Sequence, residues 1–375
     1  MKVVFITNYM THHQLPFCLE LYNRLGDDFM FIATNAMDDE RKKMGWDLKV
    51  EDYPFIRVFE DYKYDEDIVN ADVLLCGGTD TLYIRDRLKQ PDKLTFRYFE
   101  RLYKTGRIGA FSPRGYMRKL KEHTKYRNAN VYLLCAGAYV PGDFDLFLSY
   151  PDKKYKWGYF TTVCQQSFDK LMAGKDKELS VLWTGRMIDW KHPLDAVKAF
   201  KGLIDSGVSA RLTMIGQGPM RDEVCQYIKQ HDLAKVISLH DFMSPSKVRE
   251  YMQKSHIYLM TSDRQEGWGA VVNEAMDSGM VVIGSNMAGS VPYLIEDGMS
   301  GFIYKSGHID ELTQTLIKVA KMTDVSVARN AYDTMHELWS PKEAASRFLE
   351  LSQKLIDGER YYFTKGPLSK AENIG

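Results

Sequence analysis

The chain lacks any charge imbalance: 50 Lys and Arg face 50 Asp and Glu among 375 residues, so the formal net charge at pH 7 is zero. A global field that draws in nucleic acid is therefore excluded, and only local patches can act electrostatically. Cysteine is sparse. Cys18, Cys76, Cys135, Cys164 and Cys225 are odd in number and form no Cys-x-x-Cys pair. This argues against a disulfide framework or a structural zinc site and for a reducing compartment. No stretch approaches the ~20 apolar residues that span a bilayer. The opening run Val3-Val4-Phe5-Ile6-Thr7 follows Met1 and Lys2 directly and is too short for a secretory leader. The expected location is cytoplasmic, in solution or peripheral at the inner face of the membrane. Repeats of about 20 to 50 residues and low-complexity tracts are also missing.

Hydrophobic residues make up 45% of the chain and charged residues 27%, enough apolar material for two cores. Short apolar runs alternate with amphipathic stretches throughout. In the first half, Val3 to Thr7, Phe29 to Thr34, Val73 to Cys76, Arg107 to Phe111 and Val131 to Cys135 read as strands. Leu15 to Leu25 and Lys93 to Lys104 read as helices. In the second half, Val181 to Trp183, Arg211 to Ile215, Ile257 to Met260 and Val281 to Gly284 read as strands, with a helix over Asp195 to Leu203 and a Gly279 cap closing another. Strand and helix in alternation imply an α/β chain of two facing Rossmann-like, doubly wound domains with a cleft between them. The boundaries expected are 1–170 for the first domain and 171–340 for the second. A helix over Pro341 to Leu355 then packs back across the junction, followed by a mobile tail to 375.

Two strand-end segments carry candidate chemistry. In Glu266-Gly267-Trp268-Gly269-Ala270-Val271-Val272-Asn273-Glu274, the glycines uncover backbone N–H groups where a helix begins, a setting that favours phosphate. A carboxylate there is repelled by a diphosphate and must serve sugar hydroxyls instead. Read alone, the segment fits a surface loop and a charged helix face equally well. In Gly185-Arg186-Met187-Ile188-Asp189-Trp190-Lys191, Arg186 offers a planar fork and Lys191 a point charge to the same diphosphate.

Together with Leu212-Thr213-Met214-Ile215-Gly216-Gln217-Gly218-Pro219 and Ala288-Gly289-Ser290-Val291-Pro292-Tyr293-Leu294-Ile295-Glu296-Asp297-Gly298, these blocks resemble glycosyltransferase family 4 of the GT-B fold. The resemblance covers most of the second half. It implies that Arg186 and Lys191 hold the diphosphate, that Gly267, Trp268, Gly269 and Ala270 add backbone donors, and that Glu274 takes the ribose. It further implies that Glu266 contacts the transferred sugar as the principal catalytic candidate, and that Phe242 lines the base pocket. The implied activity is a retaining, metal-independent hexosyltransferase that uses a nucleoside-diphosphate sugar, UDP-sugar favoured and GDP-sugar second. The implied acceptor is a glycan or lipid-linked glycan in cell-surface polysaccharide synthesis, with no cofactor and no metal.

The first half departs from that family. Its first loop, Asn8-Tyr9-Met10-Thr11-His12-His13-Gln14, has no glycine. His12 is a candidate phosphate contact and His13 a candidate catalytic donor, although a histidine is more often structural. From Arg85 to Arg127 basic residues far outnumber acidic ones, with aromatics between them. That composition suits an anionic membrane surface better than nucleic acid, for which no module is present. Asp143-Phe144-Asp145 reads as surface, because helix neighbours two apart do not share a face. Gly216-Gln217-Gly218 is no dinucleotide fingerprint, since Arg221 stands where the third glycine belongs. A GT-B nucleotide-sugar epimerase and an inactive nucleotide-sugar-binding subunit remain as alternatives.

Overall fold

A computed structural model describes residues 1–37, 48–60 and 63–375. The chain divides into two compact units, the first formed by 1–162 with 339–375 and the second by 163–338. Each is built on a parallel sheet covered by helices, a Rossmann-like doubly wound arrangement.

The first unit holds β1 (Val3–Thr7), β2 (Phe29–Ala33), β3 (Ile56–Val58), β4 (Val73–Gly77), β5 (Leu94–Phe99), β6 (Val131–Ala136) and β7 (Lys154–Trp157). Their order is β3-β2-β1-β4-β5-β6-β7, and every pairing is parallel. β1 and β4 are buried along their whole length, as strands covered on both faces must be. The second unit holds β8 (Leu179–Thr184), β9 (Ala210–Ile215), β10 (Ile237–His240), β11 (Ile257–Met260), β12 (Val281–Ser285) and β13 (Phe302–Tyr304). Their order is β10-β9-β8-β11-β12-β13, again all parallel.

Several sequence expectations are corrected. Lys93 to Lys104 is no helix: its first half is β5, buried from Leu94 to Tyr98. Arg107–Phe111 is a 3₁₀ turn instead of a strand. Asp143 is fully buried, not on the surface, and accepts the backbone N–H groups of Leu102 at 2.8 Å and Tyr103 at 3.3 Å. The last residues are tied down. The backbone of Lys156 pairs with Leu368 and Ser369, Ala371 donates to Lys154, and Leu368 is completely buried. The helix Pro341–Ile356 buries Ala344, Phe348, Leu351 and Leu355 as its periodicity requires, with Phe348 against Phe17 and Phe96.

The basic segment also changes character. Arg87 is fully buried, and its guanidinium donates to the carbonyls of Ile68, Val69, Ala71, Asp72 and Leu94 and to the Thr95 hydroxyl. Arg97 is 2% exposed and meets the Glu122 carbonyl, His123, Tyr150 and Thr81. Burial and the adjacent Arg97 charge hold His123 well below the usual imidazole range, so it stays neutral. Both arginines are thus structural and belong to no surface patch. Arg87→Ala strips the guanidinium from five carbonyls, with the bonds to Ile68, Ala71 and Leu94 fully buried. It is expected to cost about 3 kcal/mol or more, seen as a lower urea midpoint at an unchanged slope.

Candidate functional site

The order of the second sheet reverses between β8 and β11, with β9 and β12 running outward on either side. At such a reversal the loops leaving the two strands diverge and open a crevice at their carboxyl ends. The loop of residues 185–192 leaves β8 there, and that of 261–270 leaves β11. They are joined by a short relay. Trp183 Nε1 donates to Thr261 Oγ1 at 2.9 Å, and Thr261 Oγ1 donates to the Lys191 carbonyl at 2.7 Å. The Asp263 N–H donates to the Trp190 carbonyl at 2.9 Å.

On this support Lys191 Nζ stands 2.6 Å from Glu266 Oε2, their side chains 16% and 13% exposed. Ser262 Oγ donates to the same carboxylate oxygen at 3.0 Å. Arg186 lies exposed on the Lys191 loop, with no partner among the described residues. The backbones of the β8 and β9 loops touch directly. A Cβ added at Gly216, where φ is +147°, would sit 1.9 Å from the Gly185 oxygen. Gly185 and Met187 donate in turn to the carbonyls of Ile215 at 3.0 Å and Gln217 at 2.7 Å. Only glycine permits that approach.

The β11 loop is held from its other side by the β12 loop. Gly289 donates to the Glu266 carbonyl at 3.1 Å and Ser290 to the Trp268 carbonyl at 3.0 Å. The Trp268 side chain is 1% exposed and donates its indole N–H to Asn273 Oδ1 at 2.9 Å. It anchors the loop from inside the unit. Gly269 has φ +91°, and its Cβ would meet Met260 at 2.6 Å. Gly267, Gly269 and Ala270 present backbone N–H groups that donate to no described residue. Glu274 follows in the first turn of the helix Val271–Asp277. Burial raises its carboxyl above the usual range, while the Arg249 charge works in the opposite direction. Phe242 is 45% exposed beyond β10. Arg221 steadies that region, donating to the Gly216 carbonyl at 2.7 Å and pairing with Asp241 at 3.0 Å.

The second unit therefore holds Arg186, Lys191, Phe242, Glu266 to Ala270 and Glu274. Of these, the structure brings Lys191 and Glu266 into direct contact. His12 and His13 belong to the first unit, in the turn that follows β1, their rings 3.8 Å apart. Burial pulls the His12 imidazole down to about 4, so it is neutral at pH 7. His13 borders a space of about 10 Å³ with Gln14, Tyr98 and Tyr159, room for one water at most. Gly77-Gly78-Thr79-Asp80 is a capped turn, the Asp80 carboxylate accepting the Leu82 N–H at 2.8 Å. Thr261, Ser262, Arg221 and Arg249 were not singled out from sequence. Thr261 and Ser262 had a usable signal, since both lie in the loop before Glu266, whereas Arg221 entered only as the residue that breaks a dinucleotide fingerprint.

A family model described as "Glycosyl transferases group 1" matches residues 166–333. The matched residues lie within the second unit. The chain is 25% identical over 149 residues to WcaL of Salmonella typhimurium, which is named for colanic acid biosynthesis as a glycosyltransferase; the match covers 38% of this chain and 36% of WcaL. It is 30% identical over 129 residues to spore coat protein SA of Bacillus subtilis, covering 33% of this chain and 34% of that protein. The chain spans about a third of the length of these curated relatives. Among solved structures, Anabaena HepE in complex with UDP and glucose superposes with a TM-score of 0.68 at 15% identity, over 94% of this chain and 100% of HepE. At that identity the likeness is one of fold, a pair of Rossmann-like domains of the GT-B type.

Gly216→Ala is expected to cost about 2 kcal/mol or more, since both the backbone angle and the contact with Gly185 forbid a side chain. Chemical denaturation compared with Gly207→Ala, where a Cβ meets nothing within 4 Å, isolates the contact from the angle.

Proposed function

We propose that the protein is a retaining glycosyltransferase that moves a sugar from a nucleoside-diphosphate sugar to a glycan or lipid-linked acceptor in cell-surface polysaccharide synthesis. The observation that carries the reading is the Lys191–Glu266 pair at the β8/β11 crevice, with the exposed Arg186 on the same loop. A diphosphate needs cations sheltered from water, and a sugar needs a carboxylate to accept its hydroxyls. The loops leaving β8 and β11 supply both within one contact. A UDP-sugar is favoured over a GDP-sugar, which the UDP bound by HepE supports.

In this reading the donor diphosphate is neutralised by Arg186, Lys191 and the N–H groups of Gly267, Gly269 and Ala270, with no metal ion required. As the anomeric C–O bond breaks, negative charge grows on the leaving phosphate oxygen. Those groups stabilise it there, more than in water because the pair is sheltered. Glu266 holds the transferred sugar by its hydroxyls. The acceptor hydroxyl attacks from the face the phosphate leaves, and its proton passes to the leaving oxygen. The configuration is thereby retained without a protein nucleophile. Glu274 takes the ribose hydroxyls and Phe242 the base. Acceptor recognition falls to the first unit.

Melting curves with UDP, GDP, ADP and CMP, each with magnesium and with EDTA, test the donor site. One diphosphate at ~100 times its Kd is expected to add about 2.7 kcal/mol equally in both media. Lys191→Ala should abolish that shift, and Glu266→Ala should remove transfer. Stabilisation that appears only with magnesium overturns the metal-free reading. A product formed with no acceptor shifts the assignment to an epimerase. Binding without turnover of any kind shifts it to an inactive subunit.

Where the acceptor is lipid-linked, the protein must reach a membrane surface. No helix among the described residues is long and apolar enough to cross one. With Arg87 and Arg97 buried, the part of the basic segment that remains outside centres on the helix Pro113–Glu122, which buries none of its residues. Arg114, Arg118 and Lys121 share one stripe with Met117, which is 52% exposed. Ile108 just before the helix is 90% exposed, and Leu148 beside the Tyr116–Phe147 contact is 69% exposed. Apolar tips among basic side chains match an anionic bilayer interface. The double variant Ile108→Ser, Met117→Ser is expected to lose co-sedimentation with vesicles containing phosphatidylglycerol. Retained binding removes this surface from the reading.

A further inference from the structure

The helix that carries Glu274 ends on an unusual residue. Asp277 is the last residue of Val271–Asp277 and is 1% exposed. A carboxylate there faces the negative end of the helix dipole and loses its water. Both effects oppose it, and a small apolar side chain fills such a position without penalty. Groups from three separate segments face the acid, two of them donating hydrogen bonds. The Cys164 N–H reaches both carboxylate oxygens, at 3.0 and 2.9 Å. Arg249 Nη2 donates at 2.5 Å. His336 Nε2 lies 2.9 Å from Oδ1. His336 itself sits in a π-helical turn, Thr334–Leu338, stacked on Tyr332 at 3.9 Å.

Arg249 links this centre to the candidate site. It comes from the neighbouring helix Pro245–Lys254, and while Nη2 grips Asp277, Nη1 donates to the Glu274 carbonyl at 2.6 Å. One guanidinium therefore holds the middle and the C-terminal end of a helix of only seven residues, too short to hold its own place. We infer that Asp277 is a positioning residue for Glu274, acting through Arg249 to keep the Glu274 carboxylate open to the ribose of the donor. The inference rests on the ribose role proposed above. Without the Asp277 charge the Nη2 end of Arg249 is released, and Glu274, whose carbonyl Nη1 already holds, offers it another carboxylate. A Glu274 taken up by Arg249 no longer serves ribose hydroxyls. The hydrogen bond from Nη1 to the Glu274 carbonyl already places the guanidinium against that residue.

The test measures Kd for UDP and GDP, each against its 2′-deoxy form, on the full chain. The wild type is expected to prefer the ribose form of its nucleotide by about tenfold or more. Asp277→Asn preserves shape and still accepts the Cys164 N–H. It should weaken the ribose form about tenfold, leave the deoxy form nearly unchanged, and bring their ratio close to one. A purely structural role lowers the melting temperature but keeps the ratio, and that result overturns the inference. Should Asp277→Asn not fold, Arg249→Lys is measured in its place: it is expected to lose the same discrimination, and a preserved ratio is again fatal. If the wild type binds neither nucleotide, the donor-site reading fails and the inference goes with it. If it binds both forms equally, Glu274 has no ribose role, and the inference fails while nucleotide binding stands.

Discussion

Lys191 and Glu266 are each viable at the β8/β11 crevice because the other is there. Their side chains are mostly withdrawn from water and stand 2.6 Å apart. Removing either one strands a charge in a sheltered place, which is far less favourable than the pair. The rest of the site is arranged to make this contact unavoidable. The Gly185–Gly216 approach presses the Lys191 loop against its neighbour. Thr261 fastens that loop's far end to β11, and the β12 loop holds the Glu266 carbonyl. An arriving diphosphate has no need to create a cationic site. In the proposed reaction it would share a lysine whose position is already settled, with the carboxylate that held the lysine left for the sugar.

What could be read from the sequence follows how local the physics is. β8, β9, β11 and β12 are short apolar runs, β8 and β9 followed at once by glycine, and they lie where that pattern puts them. The close approach of Gly216 and the loop before Glu274 are encoded in consecutive residues too. β5 was misread because Lys93, Arg97, Arg101 and Lys104 recur at near-helical spacing. The charge at Arg97 is satisfied instead by Thr81, His123 and Tyr150, at separations of 16 to 53 residues. Local periodicity cannot foresee a buried cation that finds its acceptors so far along the chain. Asp143 deceived for the same reason, its partners lying about 40 residues earlier.

In the first unit, buried arginines meet carbonyls, hydroxyls and a neutral imidazole in place of carboxylates. Such neutral acceptors are present in every sequence and therefore give no compositional signal. The second unit uses the opposite device at Asp277, one acid gathering backbone and side-chain donors from distant segments. In both cases a single charged group organises several pieces of chain, and burial makes each partner count.

The second unit is inserted into the first: the chain leaves at 162 and returns at 339. Synthesis runs from the N-terminus, so the strands of the first sheet all emerge before the helix Pro341–Ile356 that covers Phe17 and Phe96 and the terminal segment that pairs with β7. During that interval the inserted unit, whose residues are contiguous, can fold as a block. The unit made first is thus completed last, and until then it exposes the aromatic face that its own final helix is built to cover.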